Sequence, residues 1–483
     1  MVVIYSIVAA VLYRNTLNDW FLPDETMIIA ELAELDFVGA VTYGEYWGNF
    51  VPLLYVSLWF DWKLFGLDPT GYRIHSIAAS VLVAALGFVL VRRWLPRGAA
   101  AAAGACVLLA PPTIAVTSWI CTRHYLEGAV FAMLGAIVIA RHLESPTKLK
   151  ALLGGAMYFA ACLGKEIFAV LPAALVFMPW SEPKPRLRGC GLESRLAELR
   201  AHPDVRARFW LATGLILGLF GYVCYRLLEV DVVFTKYGEG SSFVEKLHYF
   251  IVAWPEFSGW MASRGQTGTG FVIGVLLTNA MIVGTIAYWG FRRSANTLFF
   301  PALLLASCLP SIMVLDAPEV RFLQVANHFC LRFVYLPAII VILWTFVTLG
   351  FITRKWLFAV SVPILIWFAV AGSSAVHPWS HSSRLSRGAT DVYAKWWDRQ
   401  AVLVSDHSHW LHKGLHRLWS LSDGPPKVSA RVLSTRGAAG SLLSPDDPLL
   451  ASPDTVYIED LQWRRISRVL SRDEFIDRYV RRE

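Results

Sequence analysis

Apolar stretches long enough to cross a lipid bilayer recur through the first 373 residues, and this recurrence constrains the fold more than any other feature. A transmembrane helix needs about 20 mostly apolar residues, because hydrocarbon offers its peptide groups no other hydrogen-bond partners. Eleven spans are predicted, near residues 2–17, 74–91, 99–117, 127–140, 149–163, 167–180, 209–228, 271–290, 298–315, 333–350 and 356–373. The chain is therefore predicted to be an all-α polytopic membrane protein.

Composition excludes two other classes. Hydrophobic residues make up 56% of the chain and charged residues 17%, against about 45–50% and about 25% in soluble domains. A disordered chain shows the reverse bias. The first span carries no basic segment before it and no small-residue cleavage site after it, so we expect it to be retained rather than removed as a signal peptide.

Charge placement sets the predicted topology. Alternate loops, from residue 92 to residue 355, carry seventeen Lys and Arg against five acids, as cytoplasmic loops do. The net charge of +8 therefore reflects topology, and nucleic acid is not an expected partner. The first loop, residues 14–73, is acidic and is assigned to the outer side, with amphipathic helices over Thr26–Phe37 and Tyr46–Phe65 lying in the membrane interface.

The last 110 residues are polar and differ from the rest of the chain. With eleven spans they lie on the outer side, and their Pro and Gly punctuation predicts a small α/β domain. The predicted domains are thus a transmembrane module at 1–373 and an extracytoplasmic C-terminal domain at 374–483.

An acidic pair in the first loop, Asp24-Glu25, precedes an apolar run. A carboxylate beside the membrane can act as general base on an acceptor hydroxyl. The alternative is a helix N-terminus, where acids offset the helix dipole.

Further charged and polar residues lie at predicted outer ends of helices. Cations converging from separate helices suit a phosphate group, whereas each one alone is also explained by snorkelling toward headgroups. The candidate phosphate ligands are Arg73, Arg123, Lys165 and Arg332, and the candidate donor or acceptor contacts are His124, Glu166 and Tyr335.

Two other patterns are assigned no catalytic role. The tail residues Asp406, His407, His409, His412 and His416 are close in sequence but lack a recognised metal-ligand spacing. Gly214, Gly218 and Gly221 within one span are typical of close helix packing. The seven cysteines avoid the polar tail, so no disulfide framework is expected.

The order of motifs resembles the GT-C superfamily of integral-membrane glycosyltransferases, especially the protein O-mannosyltransferases, their tetratricopeptide-linked relatives and the aminoarabinose transferases. Asp24-Glu25 is similar to the acidic pair of that family's first outer loop. The segments NFVPLL (49–54), TSWICTRHYLE (117–127), LGKE (163–166) and LRFVYLPA (331–338) resemble further family segments in the same order.

The resemblance implies an inverting hexosyltransferase of the bacterial plasma membrane, with its active site outside. Its donor would be a polyprenyl-phosphate sugar, with Asp24 as the base, Glu25 as its support and Arg73 contacting phosphate. The acceptor would be a protein, lipid or glycan hydroxyl, with membrane lipids as surroundings and a divalent metal beside Asp24 left open. A transporter or flippase of lipid-linked sugars, or a non-catalytic envelope assembly protein, remains the alternative.

Overall fold

The computed structural model describes residues 1–43, 50–171, 203–230, 242–263, 268–291, 296–313, 331–352, 354–395, 401–405, 430–434, 456–461 and 466–479. Helices dominate these ranges. The α-helices are α1 Val2–Tyr13, α2 Pro23–Ala33, α3 Phe37–Thr42, α4 Pro52–Phe65, α5 Pro69–Val91, α6 Arg97–Leu109, α7 Pro111–Ser118, α8 His124–Glu144, α9 Lys148–Gly164, α10 Pro203–Val230, α11 Phe243–Val252, α12 Trp254–Ala262, α13 Thr269–Phe291, α14 Asn296–Met313, α15 Tyr335–Ile352, α16 Arg354–Lys395 and α17 Arg472–Tyr479. Three 3₁₀ turns cover Ile120–Thr122, Glu166–Val170 and Leu331–Val334.

The chain is an integral membrane protein. Within the described residues, six helical segments are long and apolar enough to cross a membrane, or seven if the bent pair α6 and α7 is one span. The six are Pro69–Val91, Ile120–Glu144, Arg206–Glu229, Thr269–Phe291, Leu331–Ile352 and Ala359–Gly388. Each coincides with a predicted span. The total of eleven stays a prediction, because α1, α9 and the apolar part of α14 are shorter and most of the predicted span 167–180 lies outside the described residues.

The bend between α6 and α7 measures 52°. It follows from Pro111-Pro112, since proline lacks the N–H that would continue the helical ladder. A buried core lies beside it, where Tyr5, Ala9 and Tyr13 of α1 pack with residues of α5 and α6. The Tyr5 hydroxyl donates a 2.9 Å hydrogen bond to the carbonyl of Ala101. A break of one residue, Ala110, thus redirects the chain within an otherwise apolar bundle.

Glycines let α9 and α10 approach until their backbones touch. A Cβ at Gly155 would lie 3.1 Å from the Cα of Gly214 and would overlap its carbonyl group, and one at Gly218 would lie 3.2 Å from the Gly155 carbonyl carbon. The predicted packing role of Gly214 and Gly218 is thereby confirmed, whereas a Cβ at Gly221 would meet only the Phe159 ring, at 3.6 Å. In lipid there is no hydrophobic driving force between helices. Small residues stabilise such contacts because they allow close van der Waals packing of the two backbones.

The residues fall into two compact units, described separately here. The first unit comprises Met1–Arg14, Val41–Tyr55 and Ile74–Val376, and the second comprises Asn15–Ala40, Val56–Arg73 and His377–Glu483. The second unit therefore combines much of the first loop with the tail. Of the predicted interfacial helices, Thr26–Phe37 corresponds to α2 and α3, and Tyr46–Phe65 is represented by α4.

Helix α16 does not stop where its apolar run stops. The run ends near residue 373, the predicted domain boundary, but the helix continues to Lys395. Its buried positions continue at helical spacing through Val376 and Trp379 and then through the hydroxyl residues Ser383, Ser386 and Thr390. The change at 373 is therefore one of polarity and not of secondary structure.

The tail contains a four-stranded mixed sheet in the order β2-β1-β3-β4. Its strands are β1 Ala401–Ser405, β2 Ala430–Ser434, β3 Val456–Leu461 and β4 Ile466–Leu470. Strand β1 runs parallel to β2 and β3, whereas β4 pairs antiparallel with β3. Helix α17 packs its buried Phe475 against Tyr457 of β3, with ring centroids 4.6 Å apart.

Candidate active site

Glu25 caps the helix that carries the acidic pair. Helix α2 begins at Pro23, a residue suited to a first helical turn because it has no N–H to satisfy. The Glu25 carboxylate accepts a 2.7 Å hydrogen bond from the Leu22 N–H and is fully buried. Glu25 therefore supplies an acceptor for the Leu22 N–H, which has no partner within the helix.

Asp24 occupies the same turn but is exposed. A carboxylate in the first turn is favoured by the helix dipole. The two acids of the predicted pair thus have different surroundings: one is buried in structural contacts and the other faces outward. Of the two, Asp24 has the accessibility that a general base requires.

Arg73, on the first turns of α5, is almost fully buried. Its Nε donates to the Asp19 carbonyl at 3.2 Å, its Nη2 donates to the Trp20 carbonyl at 2.9 Å, and it lies 3.8 Å from the Glu25 carboxylate. Asp19, Trp20, Glu25 and Arg73 are called the first-loop cluster below. In this arrangement the guanidinium holds the chain that leads into α2; its predicted contact with phosphate stays a prediction.

A second group lies in the first unit and is called the cation cluster: Arg123, His124, Lys165, Glu166, Arg332 and Tyr335. All six stand at or beside the 3₁₀ turns that precede or follow α8, α9 and α15. The positive charges of Lys165 and Arg332 both act on the buried imidazole of His124. Residues from three distant chain segments therefore share one location.

Close backbone contact explains how these segments meet. A Cβ at Gly164 would lie 2.7 Å from the Gly128 Cα and 3.0 Å from the His124 carbonyl oxygen. The C-terminus of α9 consequently crosses directly against the first turn of α8. The helix ends there and Lys165, the next residue, adopts an extended conformation.

Two cations of the cluster have carboxylate partners. The Arg123 Nε lies 3.2 Å from Glu127 Oε1, and the Lys165 Nζ lies 3.1 Å from Glu166 Oε1. Arg123 is completely buried, while the side chain of Lys165 is 12% exposed. Glu127 was not among the predicted site residues, although its i,i+4 spacing from Arg123 is the usual signal for such a pair.

Arg332 is held differently, by aromatic rings. Its guanidinium lies 4.7 Å from the Trp119 ring centroid and 4.8 Å from that of Phe333. Among the described residues it has no carboxylate partner. Arginine stacks on aromatic faces without losing its in-plane N–H donors. The two rings therefore fix the guanidinium of Arg332 in place, and no acid of the described ranges compensates its charge.

Tyr335 lies one helical turn further on and is fully buried. Its ring packs edge-on against Tyr125, with centroids 6.2 Å apart. Within the described part of the chain its hydroxyl finds no hydrogen-bond partner. Buried hydroxyls are seldom left unsatisfied, so this one is suited to a ligand.

An apolar groove begins beside the cation cluster. It is lined by apolar side chains of α5, α8, α14 and α15 together with Trp94 and Leu171, and its cavity volume is about 110 Å³. The lining residues Leu336, Ala129 and Leu171 follow Arg332, His124 and Lys165 by four, five and six positions in the sequence.

Some predicted features lie outside the described residues: Asn49 of the NFVPLL segment and the tail group Asp406, His407, His409, His412 and His416. Among the residues that are described, no group of three or more His, Cys, Asp or Glu is placed to hold a metal ion.

Comparison with known proteins gives fold-level similarity only. No protein-family model matches the chain and no curated protein matches it in sequence. Among solved structures, the chain is similar to the Archaeoglobus fulgidus oligosaccharyltransferase in complex with Zn and sulfate, at 12% identity and a TM-score of 0.45, over 88% of this chain and 62% of that one. It is also similar to ArnT from Cupriavidus metallidurans bound to undecaprenyl phosphate, at 16% identity and a TM-score of 0.38, over 90% and 86%.

A third similar structure is the Archaeoglobus fulgidus AglB in complex with an inhibitory peptide and a dolichol-phosphate, at 12% identity and a TM-score of 0.43, over 89% and 64%. The chain thus spans slightly less than two thirds of the archaeal enzymes' length. These proteins are GT-C enzymes, the superfamily that the sequence resembles. All three TM-scores lie below 0.5, so the similarity assigns no activity to this chain.

Proposed function

We propose that the protein is an inverting glycosyltransferase of the GT-C type. It would move a sugar from a polyprenyl phosphate to an acceptor hydroxyl of a protein, lipid or glycan on the outer side of the membrane. The observation that carries the proposal is the position of Arg332: no acid among the described residues pairs with its charge, and the apolar groove begins four residues further along the chain, at Leu336.

A lipid-linked phosphate has the two chemistries that this location provides. Its charged head requires fixed cations, and the positive charges of Arg332 and Lys165 both act on His124. Its long hydrocarbon chain requires an apolar path, and the groove is lined wholly by apolar side chains. The groove lining begins at Leu336, Ala129 and Leu171, which lie four, five and six residues after Arg332, His124 and Lys165, so we propose that one lipid-linked phosphate occupies both places.

The proposed reaction gives each of these groups a role, as the resemblance implies for Asp24. The acceptor oxygen attacks the anomeric carbon while the bond from that carbon to the phosphate oxygen breaks. Asp24 takes the hydroxyl proton, and the bonding electrons leave with the phosphate, whose growing charge Arg332 and Lys165 stabilise. Cations fixed before the reaction act most strongly on charge that develops in the transition state. Glu25, buried in its contacts with Leu22 and Arg73, supports the turn that presents Asp24.

Direct transfer in proteoliposomes tests the proposal. The purified protein is supplied with polyprenyl phosphates that carry different radiolabelled hexoses or aminosugars, together with total envelope extract as acceptor. We expect transfer from at least one donor, with inverted configuration at the anomeric carbon of the product. Counterflow of a labelled lipid-linked sugar with no covalent product would instead establish a flippase, and neither activity would favour an assembly role.

Photocrosslinking tests the groove independently of turnover. A polyprenyl phosphate with a diazirine in its chain should label peptides that contain residues 129–136 or 336–347. The variant Ala136→Phe fills the groove and should reduce labelling at least tenfold. Ala78→Phe, on an exposed position of α5, is the matched control and should label normally. Equal labelling of both variants would contradict lipid binding in the groove.

A further inference from the structure

Hydroxyl groups of α16 hold the chain just before the acidic pair. The Ser380 hydroxyl donates a 2.7 Å hydrogen bond to Asp19 Oδ2, and the Ser383 hydroxyl donates a 2.9 Å hydrogen bond to the carbonyl of Trp20. The Arg387 guanidinium lies 5.9 Å from the centroid of the Trp20 ring. Positions 380, 383 and 387 share one face of a helix, so a single helical face contacts two consecutive residues of the first loop.

These serines differ from the others on the same helix. Serine and threonine within helices usually donate back to a carbonyl of their own helix. Ser373 and Ser374 do so, to Val370 and Ala371, and Thr390 does so to Ser386. Ser380 and Ser383 instead direct their hydroxyls to another segment of the chain, although Ser383 is buried as deeply as the rest of that face.

Arg73 contacts the same two peptide groups from another element. It donates to the carbonyls of Asp19 and Trp20, so the Trp20 carbonyl accepts from both Arg73 and Ser383. The Asp19 carboxyl is buried, and this burial raises its pKa; the Ser380 hydrogen bond and the charges of Arg73 and Arg384 oppose the rise. The segment is thus fixed at its backbone and at its one acidic side chain.

The fixed segment continues directly into the catalytic turn. Leu22, two residues after Trp20, has an extended backbone and donates its N–H to Glu25. Glu25 in turn lies 3.8 Å from Arg73. Residues 19–25 therefore form one connected set of contacts, from which only the Asp24 carboxylate projects as an exposed acid.

We propose that Ser380 and Ser383 are positioning residues for transfer, because they fix the backbone from which Asp24 presents its carboxylate. This inference rests on the proposed function. It assigns the part of α16 beyond the apolar run a role in orienting the general base and none in binding the donor.

The test compares two double variants in the transfer assay. In S380A/S383A the loop loses both hydroxyl contacts, and we expect kcat to fall about tenfold or more while the KM for the lipid donor changes less than twofold. S373A/S374A removes two hydroxyls that donate to carbonyls of their own helix and should keep the wild-type kcat. S380T/S383T restores the hydroxyls and should recover at least half of the lost rate.

Amide hydrogen exchange of residues 19–25 gives a readout that needs no turnover. Exchange should rise in S380A/S383A and stay unchanged in S373A/S374A. If the wild type transfers no sugar but exchange rises selectively, the proposed function fails and the contact role stands. An unchanged kcat in S380A/S383A, a KM that rises in parallel with a fall in kcat, or no rescue by threonine overturns the inference.

Discussion

Arg73 and Arg332 have the same side chain and the same predicted role, yet their surroundings differ. Arg73 is surrounded by two backbone carbonyls and the Glu25 carboxylate, so its charge and its donors are used by the protein itself. Arg332 lies on the faces of Trp119 and Phe333, which fix the guanidinium plane and leave its N–H donors available. The partners of a cation, more than its depth, separate a structural arginine from one suited to bind a ligand.

The first prediction concerns Asp24, the exposed acid of the first-loop turn. Asp24→Asn should lower the transfer rate by about 10²–10⁴-fold, the usual cost of losing a general base, while membrane insertion stays normal. Initial rates in proteoliposomes at saturating donor measure the effect. Glu34→Gln, an exposed acid at the other end of α2, is the control and should transfer normally; near wild-type turnover in Asp24→Asn would remove Asp24 from the mechanism.

Arg73→Ala should act mainly on stability. Removing one partner of a buried ion pair leaves the Glu25 carboxylate and two carbonyls poorly satisfied, at a cost of about 3–5 kcal/mol. Equilibrium unfolding in mixed SDS micelles measures this loss, with the exposed Arg14→Ala as the neutral comparison. If Arg73→Ala unfolds like the wild type but loses lipid-phosphate binding, the contrast between the two arginines is wrong.

Arg332→Ala should act mainly on the reaction with the donor. We expect kcat/KM for the lipid donor to fall about 10²–10³-fold, as when one fixed electrostatic donor is removed from a site. Arg332→Lys should be intermediate, because an ammonium retains the charge but not the planar stacking on Trp119. The control is Arg97→Ala, an exposed arginine at the start of α6; equal losses in Arg332→Ala and Arg97→Ala would contradict a specific role.

The smallest effect is expected from Gly164→Ala. The added methyl would meet the Gly128 backbone at 2.7 Å, so α9 must shift away from α8, at a cost of about 1–3 kcal/mol. Because Lys165 follows directly, donor binding should weaken as well. Gly98→Ala is the matched control, since no atom lies within 4 Å of its added Cβ. Comparison of unfolding curves and donor KM for the two variants decides whether this contact positions Lys165.

Hydropathy was sufficient to locate the membrane-spanning segments that the structure describes, because burial in lipid selects composition directly. It was insufficient at residue 373, where α16 leaves the apolar run but continues as a helix whose buried face combines Trp379 with Ser383, Ser386 and Thr390. Ser383, Ser386 and Thr390 recur at helical spacing in the sequence, but hydropathy does not distinguish buried hydroxyl residues from exposed ones.

The cation cluster was predictable as a set of charged residues beside helix ends, and the structure brings Lys165 and Arg332 to His124. The bonding of each residue was not predictable. Arg73 binds backbone carbonyls, which every residue possesses and no sequence pattern marks. Glu25 caps a helix whose preceding residue is Leu22, and a leucine gives no capping signal. Sequence thus identified the charged residues, whereas tertiary contacts decided which charges remain available.

The backbone contact between α9 and α10 has a consequence for evolution. Neither Gly155 nor Gly214 can gain even a methyl group without displacing the partner helix. Substitutions at either position should therefore be selected against unless both helices move. Distant homologues of this chain should therefore keep glycine at both positions while the residues around them diverge, and a search profile weighted on this pair should find relatives that overall identity misses.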